Sequence, residues 1–98
     1  MGYRIDPDHV ETAILKRAAD WRGRRVLDIG CGDGRLTLRL ARLGAVVRGV
    51  DPDRKLIRQA RRSIPPVLAG RVRFSVGHAE KLRFPDGAFD RVVYSWSL

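Results

Sequence analysis

The sequence is poor in cysteine and lacks any long apolar segment. The single cysteine, Cys31, cannot form an internal disulfide and has no second cysteine with which to hold zinc. This usage fits a reducing compartment and predicts a cytoplasmic protein. No run of about 18 apolar residues occurs, and no basic start is followed by an apolar stretch. We therefore expect neither a membrane span nor a signal peptide.

Acidic residues are scarce as well. Eleven Asp and Glu residues stand against 20 Lys and Arg, giving a net charge of +9, and such a chain is attracted to nucleic acid or to an anionic membrane surface. The arginines are nevertheless spread over the whole length, and Arg35, Arg39 and Arg42 recur at helical spacing opposite leucines. No zinc finger or aromatic-basic RNA-binding signature accompanies the charge. We favour an arginine-rich surface and keep a polyanion site as the alternative.

The 98 residues are enough for one domain at most, and their hydrophobic periods alternate along the chain. Short apolar runs predict strands, and segments of helical period between them predict helices. This alternation indicates right-handed crossovers and an open α/β fold with a parallel sheet. The predicted strands are 25–29, 46–50, 72–76 and 91–96. Three helices are predicted: 7–20, which lies within an N-terminal segment 1–22; 35–43; and one that starts at 51–53 and stops before Pro65.

The carboxyl ends of parallel strands are where ligands bind in such folds. Four stretches follow these ends, namely 30–34, Asp51, 77–80 and 95–97, so we expect them to form one site. The first stretch carries three glycines between a strand and a helix, which allow a sharp turn and a close approach of the backbone to a ligand. Asp51 ends the second strand and is placed to accept hydrogen bonds from ribose hydroxyls. Its alternative role is to cap the next helix, although Asp53 can do the capping.

At this point the motifs resemble a known family. VLDIGCGDGR at 26–35, GVDPD at 49–53 and GHAEKLRFPDGAFDRVVYSWSL at 77–98 are similar to successive motifs of class I S-adenosylmethionine-dependent methyltransferases, especially those that act on small molecules such as quinone precursors. The third glycine lies two residues after the second, unlike the G-x-G-x-x-G of dinucleotide dehydrogenases, which argues against NAD. The resemblance implies a Rossmann-like open sheet, incomplete here, with about four strands in the order 3-2-1-4 and about three helices.

The resemblance also implies roles for individual residues in binding S-adenosylmethionine. The glycine loop, with Asp28 before it, would hold the methionine moiety; Asp51 would hold the ribose; Ala79 with its neighbours would hold the adenine. His78 stands where family members usually carry an acid, and it either accepts a hydrogen bond in place of that acid or faces water. The full predicted cofactor set is Asp28, Gly30, Cys31, Gly32, Gly34, Asp51, Pro52, His78, Ala79, Glu80 and Ser95.

No residue is assigned as catalytic and no metal site is predicted. Methyl transfer is a direct displacement, so the protein needs chiefly to align donor and acceptor. A base is required only where the acceptor must lose a proton, and the candidates near the strand ends are His78, Glu80 and Tyr94. Cys31 is expected to fill space.

The family's sheet has seven strands, whereas this sequence stops as the fourth ends. We therefore expect a partial domain, with 23–98 forming the cofactor-binding core. It is a fragment, a truncated reading frame, or a protomer whose sheet is completed by a second copy or another chain through the edge of the fourth strand. The loop 77–89 is expected to leave one sheet face poorly covered. Three functions remain open: a methyltransferase with an unknown, small-molecule acceptor; a cofactor-binding module without catalysis; and a basic nucleic-acid adaptor on the same fold.

Overall fold

Five parallel strands form one sheet in the computed structural model, which describes residues 2–5, 20–78, 81 and 83–95. The order across the sheet is β1-β5-β2-β3-β4. Four strands coincide with the apolar runs of the sequence, and their order confirms the predicted 3-2-1-4 arrangement. The strands are β1 (Gly2–Ile5), β2 (Arg25–Ile29), β3 (Val46–Asp51), β4 (Val72–Val76) and β5 (Arg91–Ser95).

Strand β1 was not predicted, and it changes the edge of the sheet. It pairs with β5 in parallel from Gly2 opposite Val92 to Ile5 opposite Ser95. Strand β5 also pairs with β2 on its other side. The expectation of an open edge at the fourth strand, available to a second copy or a partner chain, is therefore wrong, because both sides of β5 carry hydrogen-bonded neighbours. The pairing satisfies backbone groups that an edge strand would leave exposed.

Two of the predicted helices are confirmed. Helix α1 (Arg35–Arg42) ends before Gly44, whose φ of +100° suits the residue that follows a helix. Helix α2 (Arg54–Arg62) is followed by a short 3₁₀ turn, Pro66–Leu68. The remaining predicted helix, 7–20, lies outside the described residues except for Asp20. Within the described part of the chain, no helix is long and apolar enough to cross a membrane.

Both helices pack on the same face of the sheet. Leu36 and Leu40 of α1 and Ile57 of α2 are at most 1% exposed and belong to one apolar cluster with Val47 and Phe74 of the strands. The leucines recur four residues apart, which places them on one side of α1. Burying a leucine side chain stabilises a fold by about 1.5–3 kcal/mol, so this face holds the core together.

The opposite face is covered better than the sequence indicated. The loop between β4 and β5 places Phe84 and Phe89 in an edge-to-face pair with ring centroids 4.9 Å apart. The guanidinium of Arg48 on β3 lies 5.3 Å from the Phe84 centroid. Leu27 and Val50 of the central strands are only 5% and 2% exposed. The expectation that 77–89 leaves this face poorly covered is therefore corrected: two aromatic rings of an irregular segment are packed with the sheet.

Candidate functional site

The glycine loop connects β2 to α1 and is tied to the neighbouring strand. The amides of Gly30 and Cys31 both donate to the carbonyl of Val50, at 2.7 and 3.1 Å. Gly34 has a φ of +87°, and a Cβ built there would lie 2.5 Å from Cζ of Phe74. Only glycine fits this position, because a side chain would meet both backbone strain and the core. The loop is thus fixed in shape by its strand and by the core beneath it.

The loop also leaves space where a ligand would approach. Gly32 has a φ of +57°, and a Cβ added to it would meet nothing within 4 Å. Helix α1 begins at Arg35 after its N-cap Gly34, which has no side chain, and the Arg35 amide donates instead to the Asp33 carboxylate at 3.3 Å. A helix N-terminus carries about half a unit of positive charge. The loop and the helix end together favour a polar group with negative charge.

Asp51 joins the glycine loop to the second crossover. One of its carboxylate oxygens accepts the Gly32 amide at 2.9 Å, and the other accepts the Asp53 amide at 2.8 Å. The residue is 6% exposed. A carboxylate has about four lone-pair sites, so both oxygens keep capacity for a further donor. The side chain of Asp53 accepts the amides of Lys55 and Leu56 and is the N-cap of α2, which leaves Asp51 free of that role.

Asp28 lies beneath the loop and is fully buried. It accepts the hydroxyl of Thr37 on α1 at 2.6 Å and the hydroxyl of Ser95 on β5 at 2.5 Å. Burial raises the pKa of Asp28 to about 6, against the lowering effect of the two hydroxyls. Each oxygen is hydrogen-bonded within the protein, so Asp28 fixes Ser95 and the start of α1. Asp28 is also 0% exposed, so it has no surface at the strand ends in this structure.

Thr37 is a site residue that the sequence analysis missed. It is fully buried among the apolar residues of α1, and its hydroxyl reaches Asp28. The available signal was a threonine between two leucines at the start of an otherwise apolar helix face. A polar side chain at such a position needs a buried partner, which only the fold identifies.

Cys31 fills space in the loop. The residue is 5% exposed, and its sulfur would lie 2.9 Å from a Cβ built on Gly49 of β3. Burial raises the pKa of the Cys31 thiol, with smaller contributions from Asp28 and Asp51. The thiol therefore stays protonated and is a poor nucleophile.

Of the remaining predicted residues, those that the structure describes lie around the same strand ends. Gly77 donates its amide to the Asp51 carbonyl at 3.1 Å, which brings the segment after β4 beside the acid. The next residue, His78, is exposed, and its carbonyl accepts the amide of Lys81. Pro52 is exposed, and Tyr94 is 46% exposed near the end of β5. Ala79 and Glu80 lie outside the described residues.

The chain is similar to known methyltransferases in sequence. The family described as "Methyltransferase domain" matches residues 26–98. A magnesium-protoporphyrin O-methyltransferase of Rhodobacter capsulatus is 42% identical over 92 residues, which cover 93% of this chain and 40% of that protein. A mitochondrial ubiquinone biosynthesis O-methyltransferase of Schizosaccharomyces pombe is 38% identical over 84 residues, 84% of this chain and 30% of that protein. The chain thus spans less than half the length of these relatives.

Solved structures share the fold. A magnesium protoporphyrin IX methyltransferase from Synechocystis, crystallised with bound SAH, has a TM-score of 0.71 at 32% identity. The match covers 85% of this chain and 37% of that one. The YcgJ protein of Bacillus has a TM-score of 0.74, also at 32% identity, over 85% of this chain and 36% of its own.

Proposed function

The chain belongs to the methyltransferase domain family, and we propose that it forms the part of a methyltransferase that binds S-adenosylmethionine. The observation that carries this proposal is the hydrogen bond from the Gly32 amide to the Asp51 carboxylate, 2.9 Å long. It places an acid that can accept ribose hydroxyls directly beside a glycine loop that is open to a ligand.

The residues present fit this cofactor. The space next to Gly32 admits a close backbone approach, and the N-terminal end of the α1 dipole favours the carboxylate of a methionine moiety. The spare lone pairs of Asp51 suit a pair of hydroxyls. Under this proposal the loop residues Gly30, Gly32 and Gly34 hold the methionine moiety.

The other predicted contacts follow from the same placement. Asp51 and Pro52 hold the ribose, and the segment that contains His78, Ala79 and Glu80 holds the adenine. Asp28 takes a different role from the direct contact suggested by the resemblance. It positions Ser95 and the start of α1 through its two hydroxyl partners.

When bound, S-adenosylmethionine supplies a methyl group on a sulfonium, which a nucleophilic acceptor can displace. The chain's contribution is to hold the donor in one orientation and to exclude water, and alignment alone can lower a barrier by about 7–11 kcal/mol. We propose a small-molecule acceptor, because the two sequence relatives are named for magnesium-protoporphyrin and for ubiquinone biosynthesis. The cytoplasmic location indicated by the single cysteine stays a prediction.

Calorimetric titration with S-adenosylhomocysteine tests the binding proposal. We expect saturable binding by the chain and at least a tenfold loss of affinity in Asp51→Ala, because that variant removes the acceptor for the ribose hydroxyls. Asp86→Ala is the matched control, since Asp86 is an exposed acid in the turn before β5. Equal affinity of both variants and the original chain would contradict the assignment of Asp51. If the folded protein does not bind S-adenosylhomocysteine, the proposed function is overturned.

Transfer is tested separately from binding. Incubation of the chain with methyl-labelled S-adenosylmethionine and catechol or quinol acceptors measures label in the acceptor. Labelled product that depends on Asp51 would support a methyltransferase. Binding of the cofactor without transfer to any acceptor would favour the alternative of a binding module without catalysis.

A further inference from the structure

A cavity of about 210 Å³ opens at the amino-terminal ends of β2, β3 and β4, away from the glycine loop. Val47 and Phe74 point into the core beneath the helices, so the residues next to them on each strand point to the opposite face. The cavity lies on this second face, and we name it the arginine groove. Its lining includes Val46, Arg48, Arg71, Arg73, Ala88 and Phe89.

Three arginines without an acidic partner among the described residues line the arginine groove. Arg48 of β3 and Arg73 of β4 are register partners on adjacent parallel strands, and Arg71 lies two residues before Arg73. Like charges directly beside each other on a sheet repel. No acidic residue of the described part of the chain lines the groove. The fourth lining arginine, Arg25, is paired with Asp90 at 3.2 Å.

The protein compensates the charge of Arg48 only in part. Its Nη2 donates to the Ser75 hydroxyl in a long contact of 3.4 Å, and its guanidinium lies over the Phe84 ring. Its Nε is buried and has no hydrogen-bond partner among the described residues. Arg71 and Arg73 have no ion pair with any described acid. A cluster of this kind is electrostatically unfavourable alone and becomes favourable when an anion binds.

We propose that the arginine groove binds a small organic anion, in which a phosphate or carboxylate group is carried on a compact apolar body. Planar guanidinium groups pair with both oxyanions in a bidentate manner. The rest of the lining is apolar and includes Val46, Ala88 and Phe89, which suits a ring or short alkyl group. The volume is below the roughly 300 Å³ at which pockets for drug-sized ligands begin, so the body is small. The groove lies at the opposite strand ends from Asp51, and this proposal does not depend on the cofactor site.

Calorimetric titrations with phenyl phosphate, benzoate and inorganic phosphate test the proposal on the 98-residue chain. We expect one saturable site for phenyl phosphate or benzoate, with inorganic phosphate at least tenfold weaker because it lacks the apolar body. Arg73→Gln and Arg48→Gln should each weaken the binding of the organic anion at least tenfold. Arg73 is exposed, so its substitution keeps the test valid if loss of Arg48 disturbs the packing with Phe84.

Arg58→Gln is the matched control. It removes the same charge from the exposed side of α2, outside the groove, and should leave the affinity unchanged. The groove variants should also bind S-adenosylhomocysteine as the original chain does, which separates the two sites. The proposal is overturned if neither organic anion saturates a site, if Arg58→Gln weakens binding as much as Arg73→Gln, or if inorganic phosphate binds as tightly as phenyl phosphate.

Discussion

At the residue scale, Asp28 has an unusual environment for a carboxyl group. A fully buried carboxylate is held by only two hydroxyls, one from a helix and one from a neighbouring strand. Its folded pKa of about 6 is above the ordinary value of 3.8, so the folded state favours the protonated form. The resulting stability is fully present below pH 3.8 and is lost as the pH rises through 6. A shift of this size corresponds to about 3 kcal/mol.

We predict that Asp28→Asn removes this dependence on pH. The asparagine side chain stays neutral and can still hydrogen-bond both hydroxyls, so its free energy of unfolding should not decline between about pH 4 and pH 7, whereas that of the original chain should. Urea unfolding at a series of pH values measures the difference. Asp86→Asn, an exposed substitution, should retain the original slope. A slope in Asp28→Asn equal to that of the original chain would contradict the prediction.

At the scale of the elements, the capping of α2 gives two neighbouring acids different roles: Asp53 caps the helix, and Asp51 does not. Asp53→Ala removes the side chain that accepts the amides of Lys55 and Leu56, at 2.8 and 3.2 Å, and should lower the free energy of unfolding by about 1 kcal/mol. The backbone amide at position 53 remains and still donates to Asp51. Affinity for S-adenosylhomocysteine should therefore change little. Urea unfolding with calorimetry on one preparation measures both effects; a tenfold loss of affinity with unchanged stability would reverse the assignment of roles.

The elements that the sequence predicts are those with a strong local signal. Strands β2 to β5 are short apolar runs between turn residues, and the helices between them have a clear apolar side. Strand β1 is only four residues long and has no such signal, because it is defined by pairing with β5, which lies about 90 residues away. The same holds inside the site. The spacing of the glycines and Asp51 is local, but the contact of Asp28 with Ser95 joins residues 67 positions apart.

At the scale of the whole molecule, basic residues outnumber acidic ones, and two of the acids lie at the candidate site. Four of the acids that the structure describes serve particular tasks: Asp28 and Asp51 at the site, Asp53 at a helix start, and Asp90 with Arg25. Bonding to Arg25 lowers the pKa of Asp90 to about 2. Over the full sequence, Lys and Arg total 20 against 11 acids, so the basic residues are in excess by nine. The folded chain therefore carries net repulsion that the unfolded chain relieves.

This excess of charge predicts that salt stabilises the fold. Raising NaCl from about 20 mM to about 200 mM shortens the screening length from above 20 Å to below 10 Å, which weakens the repulsion among arginines more than the close Arg25–Asp90 pair. The midpoint of thermal unfolding should rise over this range in a buffer free of phosphate. In a double variant, Arg58→Gln with Arg62→Gln, the net charge falls from +9 to +7, and the rise should be smaller. A midpoint that falls with added salt would mean that attractive ion pairs outweigh the net repulsion.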